Sequence, residues 1–197
     1  MAPKFDPANA HRLEDPERLK FQSPDVVVGL LGLRGDETVV DYGAGTGVYT
    51  IPLSAAVPNG RVVAVDSSAE LLFKLEEKVE ALPDEAMRAR IMVVHTTDNH
   101  VPLFDRTVQA VLGVNLLHEV HAEPAALGEI ARLLDHCGRF VVVDWARVDR
   151  PVGPAADHVL TVSDALATLT GMGLLVDAIH QPGELFPYHF ALVASKQ

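Results

Sequence analysis

The stretch TVVDYGAGTGV, Thr38 to Val48, joins an apolar run of strand length to a carboxylate and then to glycine at every second position. Valine-rich runs of this kind suit a strand buried on both faces of a parallel sheet. The glycines let the main chain turn sharply and let a ligand approach it closely. Such a turn, between a strand and a helix, lies outside the carboxyl end of the strand, where open α/β sheets bind their ligands. Nineteen positions beyond Gly47 stands Asp66, the last residue of the run RVVAVD (61–66). A carboxylate there is placed to accept both hydroxyls of a ribose.

Working outward, seven apolar runs are separated mostly by segments of helical period: 38–42, 61–66, 91–94, 108–114, 139–144, 174–180 and 188–194. This alternation predicts a Rossmann-like, doubly wound α/β sheet. Helices are expected over 69–81, behind the N-cap oxygens of Asp66-Ser67-Ser68, and over 124–134 and 163–169. Only Gln181 to Pro187 separate the last two runs, too few residues for a helical crossover, so the final strand is expected to be antiparallel. Residues 1–37 read as a helical segment packed on the core, with starts at Asp15-Pro16-Glu17 and Pro24. Residues 38–197 then form the α/β domain of a single-domain protein.

Composition narrows the partners. The 197 residues are 48% hydrophobic and 22% charged, ordinary for a globular chain with a sizeable core. A formal net charge of -11 argues against nucleic acid or a membrane surface, which need clustered Lys and Arg. The single cysteine, Cys137, permits no internal disulfide, and neither a leader nor a bilayer-length apolar run is visible. The expectation is a cytoplasmic protein with a small-molecule partner. The sequence sets no oligomeric state.

A glycine loop and an acid after the second strand also occur in NAD(P)-dependent oxidoreductases, so these features alone leave two cofactors open. The spacing favours one of them. Dinucleotide loops run G-x-G-x-x-G, the last glycine admitting a pyrophosphate to the helix N-terminus. Here the order is Gly43-x-Gly45-x-Gly47, with Val48 at the third-glycine position. Asp41, aimed at the same crevice, would repel a pyrophosphate and attract an ammonium. A ligand with a ribose, no phosphate and a cationic amino-acid tail fits better, and S-adenosylmethionine is one.

DYGAGTG (41–47), VVAVDSS (62–68), VLGVNLLHEV (111–120) and CGRFVVVDW (137–145) together resemble the ordered motifs of the class I S-adenosylmethionine-dependent methyltransferases. The resemblance extends from Pro16 onward. It implies a seven-stranded sheet of order 3-2-1-4-5-7-6 with strand seven antiparallel. It also implies that Asp41, Gly43, Ala44, Gly45 and Gly47 line the methionine and ribose, that Asp66 holds the ribose hydroxyls and that Ser67 flanks the adenine. Asp98 and Asn99 would face the adenine amino group, and Asn115 the methionine moiety. Two positions depart from the family pattern: Thr97 stands where many relatives have the adenine-side acid, and Gln109 where strand four tends to begin with Asp.

Methyl transfer from a sulfonium is an in-line displacement, accelerated largely by orientation and exclusion of water. A base is needed only if the acceptor loses a proton. The residues expected at the carboxyl edge are His118 and Glu119 after strand four, Asp144 and Trp145 ending strand five, and Tyr188 and His189 opening the reversed strand, with the 181–187 loop overhanging. His118, Glu119, Tyr188 and His189 are the catalytic candidates. Segment 146–158 would form a wall or lid, and Phe21 and Gln22 would close the other side. His118-Glu119-Val120-His121 lacks the H-E-x-x-H spacing, so no metal site is expected. The function expected is methyl transfer to a small metabolite; the alternatives are the oxidoreductase and a cofactor-binding protein without transfer activity.

Overall fold

The computed structural model describes Phe5 to Gln197, so the first four residues of segment 1–37 lie outside the described residues. A 3-10 turn over Pro7–Arg12 leads to helices α1 (Pro16–Phe21) and α2 (Pro24–Gly29). Asp15 caps α1 by accepting the Glu17 N–H at 2.9 Å, with proline at the first helical position where no donor is missed. The strands are β1 (Thr38–Tyr42), β2 (Arg61–Asp66), β3 (Ile91–His95), β4 (Val108–Val114), β5 (Leu134–Trp145), β6 (Leu174–His180) and β7 (His189–Lys196). Between them lie α3 (Thr50–Ala56), α4 (Ala69–Glu80), α5 (Glu85–Ala89), α6 (Leu117–Val120), α7 (Pro124–Leu133) and α8 (Val162–Gly171).

The seven strands form one sheet of order β3-β2-β1-β4-β5-β7-β6, as expected. The pairs β1–β2, β1–β4, β2–β3 and β4–β5 are parallel, and β7 runs antiparallel to both neighbours. Both faces are covered: Val40, Val111, Phe140 and Leu192 pack under α7 and α8, and Val39, Leu112, Val141 and Ala191 pack with α2 and α3. Alternate residues of the same strands thus enter opposite layers, which is why the runs read as continuously apolar.

The sequence periods leave out α3, α5 and α6, which span only seven, five and four residues. Segments this short carry too few turns to show a period. Strand β5 begins five residues earlier than expected, at Leu134. The β4 partner steps from Val108↔Leu134 to Ala110↔Arg139, so Asp135 to Gly138 bulge out of the ladder, with Cys137 at φ 62°. Among the described residues no helix is long and apolar enough to cross a membrane.

Candidate active site

Strands β1, β2, β4 and β5 end side by side, and above them lies a cavity of about 560 Å³. Its floor is the glycine loop. Gly45, at φ 54°, turns its N–H onto Asp66 Oδ2 at 2.8 Å, and the Ser68 N–H donates to Asp66 Oδ1 at 2.8 Å. Each carboxylate oxygen is therefore fixed by one main-chain donor and keeps acceptor capacity toward the cavity. Gly43, Ala44, Gly45, Asp66, Ser67, Asn99 and Asn115, all expected at the cofactor, line this space. Asn99 and Asn115 hold left-handed backbones, at φ 65° and 54°, a conformation Asn tolerates better than most residues.

Asp41, Gly47 and Asp98 do not line the cavity. Asp41 is buried beneath the loop and accepts the Thr50 hydroxyl at 2.6 Å. Burial pushes its carboxyl up to about 7, against the Thr50 hydrogen bond and with the help of the nearby Asp66 charge. Its charge thus acts from below rather than by ligand contact. Gly47, at φ 84°, makes room for α4: a Cβ there would lie 2.2 Å from Leu75 Cδ1. Asp98 points outward, accepting the Thr96 hydroxyl at 2.9 Å and the His100 N–H at 3.1 Å, while Thr96 itself lines the cavity.

At the other end, His118 and Glu119 line the cavity from α6. The His118 N–H donates to Asp144 Oδ2 at 2.9 Å, its Nδ1 lies 2.7 Å from Asp144 Oδ1, and the Trp145 N–H donates to Oδ1 at 2.7 Å. A proton on Nδ1 facing Asp144 leaves Nε2, 4.0 Å from Glu119 Oε1, as the ring atom available to a ligand. Burial works against the imidazolium, but the fully buried Asp144 and then Glu119 outweigh it and raise the His118 pKa. Burial also raises Glu119, to about 7, opposed by His118 and reinforced by Asp144.

Tyr188 and His189 do not line the cavity. His189 is buried behind Trp145, ring centroids 4.0 Å apart, and the Tyr188 ring meets Phe21 edge-on at 5.2 Å. Burial holds the His189 imidazole neutral, at about 3. Their place is in the packing behind the wall that Trp145 and Phe21 present. Val152, Gly153 and Pro154 of segment 146–158 line the cavity, and the 181–187 loop does not. Arg150 stacks on Trp145 at 5.4 Å and donates to the carbonyls of Ala146 and Pro154, which folds that segment against the ring.

The largest contribution the sequence leaves unannounced comes from residues 5–21. Phe5, Asn9, Leu13 and Arg18 roof the cavity. This strap is tied to the core where Lys78 pairs with Glu14 and donates to the Thr46 carbonyl at 2.8 Å, and where Gln22 and Asn115 pair their amides. The only signals for it are the helix start at Asp15-Pro16 and the chain direction that brings Phe21 and Gln22 to the edge. The Asp144–His118 bond likewise has no local signature, because its partners lie on separate elements, α6 after β4 and the end of β5.

Residues 39–138, just over half of the chain, match a family described as a methyltransferase domain. A solved S-adenosylmethionine-dependent methyltransferase from Aquifex aeolicus superposes with a TM-score of 0.89 at 29% identity, covering 98% of this chain and 100% of that one. A ubiquinone/menaquinone biosynthesis C-methyltransferase from Syntrophotalea carbinolica is 30% identical over 62% of this chain and 49% of its own length. A geranyl diphosphate C-methyltransferase from Streptomyces coelicolor, solved with S-adenosyl-L-homocysteine, shares the fold at 16% identity and a TM-score of 0.74, covering 99% of this chain and 86% of that one. The chain spans about half or less of the length of the first curated relatives it matches, 34% and 49%.

Proposed function

The chain belongs to the class I S-adenosylmethionine-dependent methyltransferases, and from that premise we propose that it transfers a methyl group to a small-molecule acceptor bound between Glu119, His118 and the Trp145–Phe21 wall. The observation that carries this reading is the joining, within one cavity, of a carboxylate held for a ribose and a histidine held for proton transfer. A volume of about 560 Å³ falls within the range of pockets that enclose drug-sized ligands.

The residues present fit the cofactor. Asp66, held by the Gly45 and Ser68 N–H groups, would take the ribose hydroxyls; Thr96 and Asn99 would stand by the adenine and Asn115 by the methionine. When bound, S-adenosylmethionine supplies an electrophilic methyl group on a sulfonium centre. His118 then serves as base toward an acceptor hydroxyl or amine: Nε2 takes the proton while Asp144 stabilises the imidazolium that forms. Glu119 is a second group able to hold a proton beside it. Trp145, Phe21 and the strap exclude water from the transfer.

An acceptor small enough to fit under the strap agrees with the net charge of -11, which gives no electrostatic footprint for nucleic acid or a membrane surface. The exposed free thiol of Cys137 suits a reducing, cytoplasmic setting. The test is transfer of labelled methyl from S-adenosylmethionine to a panel of hydroxylated, amino and quinol-type metabolites, with calorimetry for S-adenosylhomocysteine and NAD(H). Tight S-adenosylhomocysteine binding with turnover on at least one acceptor is expected; binding with no turnover on any class would leave only the cofactor-binding half of the reading.

A further inference from the structure

Glu119 brings a carboxylate into the cavity with no permanent cation beside it. Its side chain is 16% exposed, and His118 is the one basic group within 4.0 Å of it among the described residues. That contact, from Nε2 at 4.0 Å, is too long for a hydrogen bond, and the imidazole is already committed to Asp144 through Nδ1. The donor that does reach Glu119 is neutral, the main-chain N–H of Phe5. The two nearby arginines are occupied elsewhere. Arg18 is engaged by Gln22, the Leu13 carbonyl and the Tyr49 hydroxyl, and Arg150 by the carbonyls of Ala146 and Pro154 and by the Trp145 ring. A carboxylate held this far from water is costly unless a ligand supplies the positive charge.

The surroundings of Glu119 suit an organic cation. Phe5 borders it through the N–H bond, Trp145 follows the Asp144 that grips His118, and Phe21 lies against Trp145 with ring centroids 6.4 Å apart. All three line the cavity, and aromatic rings attract alkylammonium groups. The same end is hostile to an anion. A phenolate or enolate, the nucleophile of O- or C-methylation, would develop its charge against Glu119 and Asp144. Transfer to nitrogen runs the other way, because positive charge leaves the sulfonium and appears on the acceptor, where these carboxylates stabilise it.

We propose that the methyl acceptor is an amine, bound as its ammonium ion by Glu119 and freed for attack by His118. This rests on the methyl-transfer reading above and names the class of acceptor. The ammonium gives one proton to His118 Nε2, which restores the nitrogen lone pair. That pair forms the N–C bond as the S–C bond breaks, and the S–C electron pair stays on sulfur as a neutral thioether. The methylated product is again an ammonium, held by Glu119, and His118 passes its proton to solvent.

Calorimetry on protein saturated with S-adenosylhomocysteine tests the proposal with probes that share a body and differ in one group. Phenethylamine is compared with phenethyl alcohol and hydrocinnamate, and hexylamine with hexanol, at a pH where alkylamines are protonated. Each amine is expected to bind about 10- to 100-fold tighter than its alcohol, the worth of a hydrogen bond between charged groups, with hydrocinnamate weakest. Glu119→Gln, which keeps an acceptor for the Phe5 N–H, should bring amine and alcohol within about threefold of each other and leave S-adenosylhomocysteine within about twofold. Glu119→Asp, which keeps the charge, should retain part of the preference. Labelled methyl should appear on nitrogen. Alcohols or hydrocinnamate binding as well as the amines, or no amine binding at all, would overturn the proposal while S-adenosylhomocysteine binding kept the cofactor reading intact. So would a Glu119→Gln loss confined to S-adenosylmethionine and absent for S-adenosylhomocysteine, which would assign the carboxylate to the sulfonium. Protein that bound neither cofactor form would lose both readings.

Discussion

Asp144 grips His118 at two points, taking its ring Nδ1 at 2.7 Å and its main-chain N–H at 2.9 Å, while the carboxylate itself is wholly buried. The ring is thereby fixed in orientation and in the side from which it exchanges a proton. Nearby His189 stays neutral, so the Asp144 charge is directed to His118. The arrangement leaves the His118 imidazole open to the cavity and keeps its carboxylate partner out of it.

His118→Ala is expected to lower kcat about 10²- to 10⁴-fold, the usual worth of a positioned general base, with S-adenosylhomocysteine affinity unchanged within about twofold. Steady-state kinetics paired with calorimetry check this. Turnover that survives intact would place the acceptor where it loses no proton to His118.

Asp144→Asn moves the pH profile as well as the rate. The Asp144 charge raises the His118 pKa, so its removal lowers that pKa, and the acidic limb of the kcat profile should shift to lower pH while its plateau drops. An acidic limb that stays in place would show that another group, with Glu119 at about 7 the first candidate, sets it.

Asp66→Ala removes the acceptor of two main-chain N–H groups together with the proposed ribose contact. Binding of S-adenosylhomocysteine and of 5′-methylthioadenosine should both fall about 100-fold or more, since both carry the ribose. Calorimetry that gave a loss for only one of them would remove Asp66 from the ribose site.

Asp41 makes the ligand-free fold less stable as pH rises. Its pKa is about 7 in the folded protein against the ordinary carboxylate range unfolded, so between about pH 4 and pH 7 the folded state holds a proton that the unfolded state has lost. Stability contributed by the protonated form is complete below that window and is lost progressively up to about 7. Asp41→Asn should therefore raise Tm relative to wild type at pH 8 and have little effect at pH 4, as thermal melts at the two pH values would reveal. A gain of equal size at both would rule out the buried charge as its cause.

Gly47→Ala puts a methyl 2.2 Å from Leu75 Cδ1 on a backbone at φ 84°. The expected cost is about 2–4 kcal/mol from strain and overpacking, read by urea denaturation. Leu75→Ala in the same background should recover part of it, the steric share, and leave the backbone share. Additive losses would mean that the two residues do not meet.

The sheet was legible because its information is local. Valine-rich runs separated by helical periods set the strands, a seven-residue connection reversed the last one, and glycine spacing with Asp66 nineteen positions on chose the cofactor. What the tertiary structure decided are relationships between distant residues. Asp41 moved from ligand contact to a buried bond with Thr50, because its side chain turns beneath the loop toward α3. His189 joined the packing behind Trp145, because the pairing Trp145↔His189 sets the two rings side by side. Asp144 met His118, twenty-six residues earlier in the chain, because β4 and β5 end together. Arg18 reached Tyr49 only because the strap folds back over the glycine loop. A periodic pattern reports the burial of one residue among its neighbours along the chain. It does not report which polar groups from separate elements converge at a shared edge, and this site is made of such convergences.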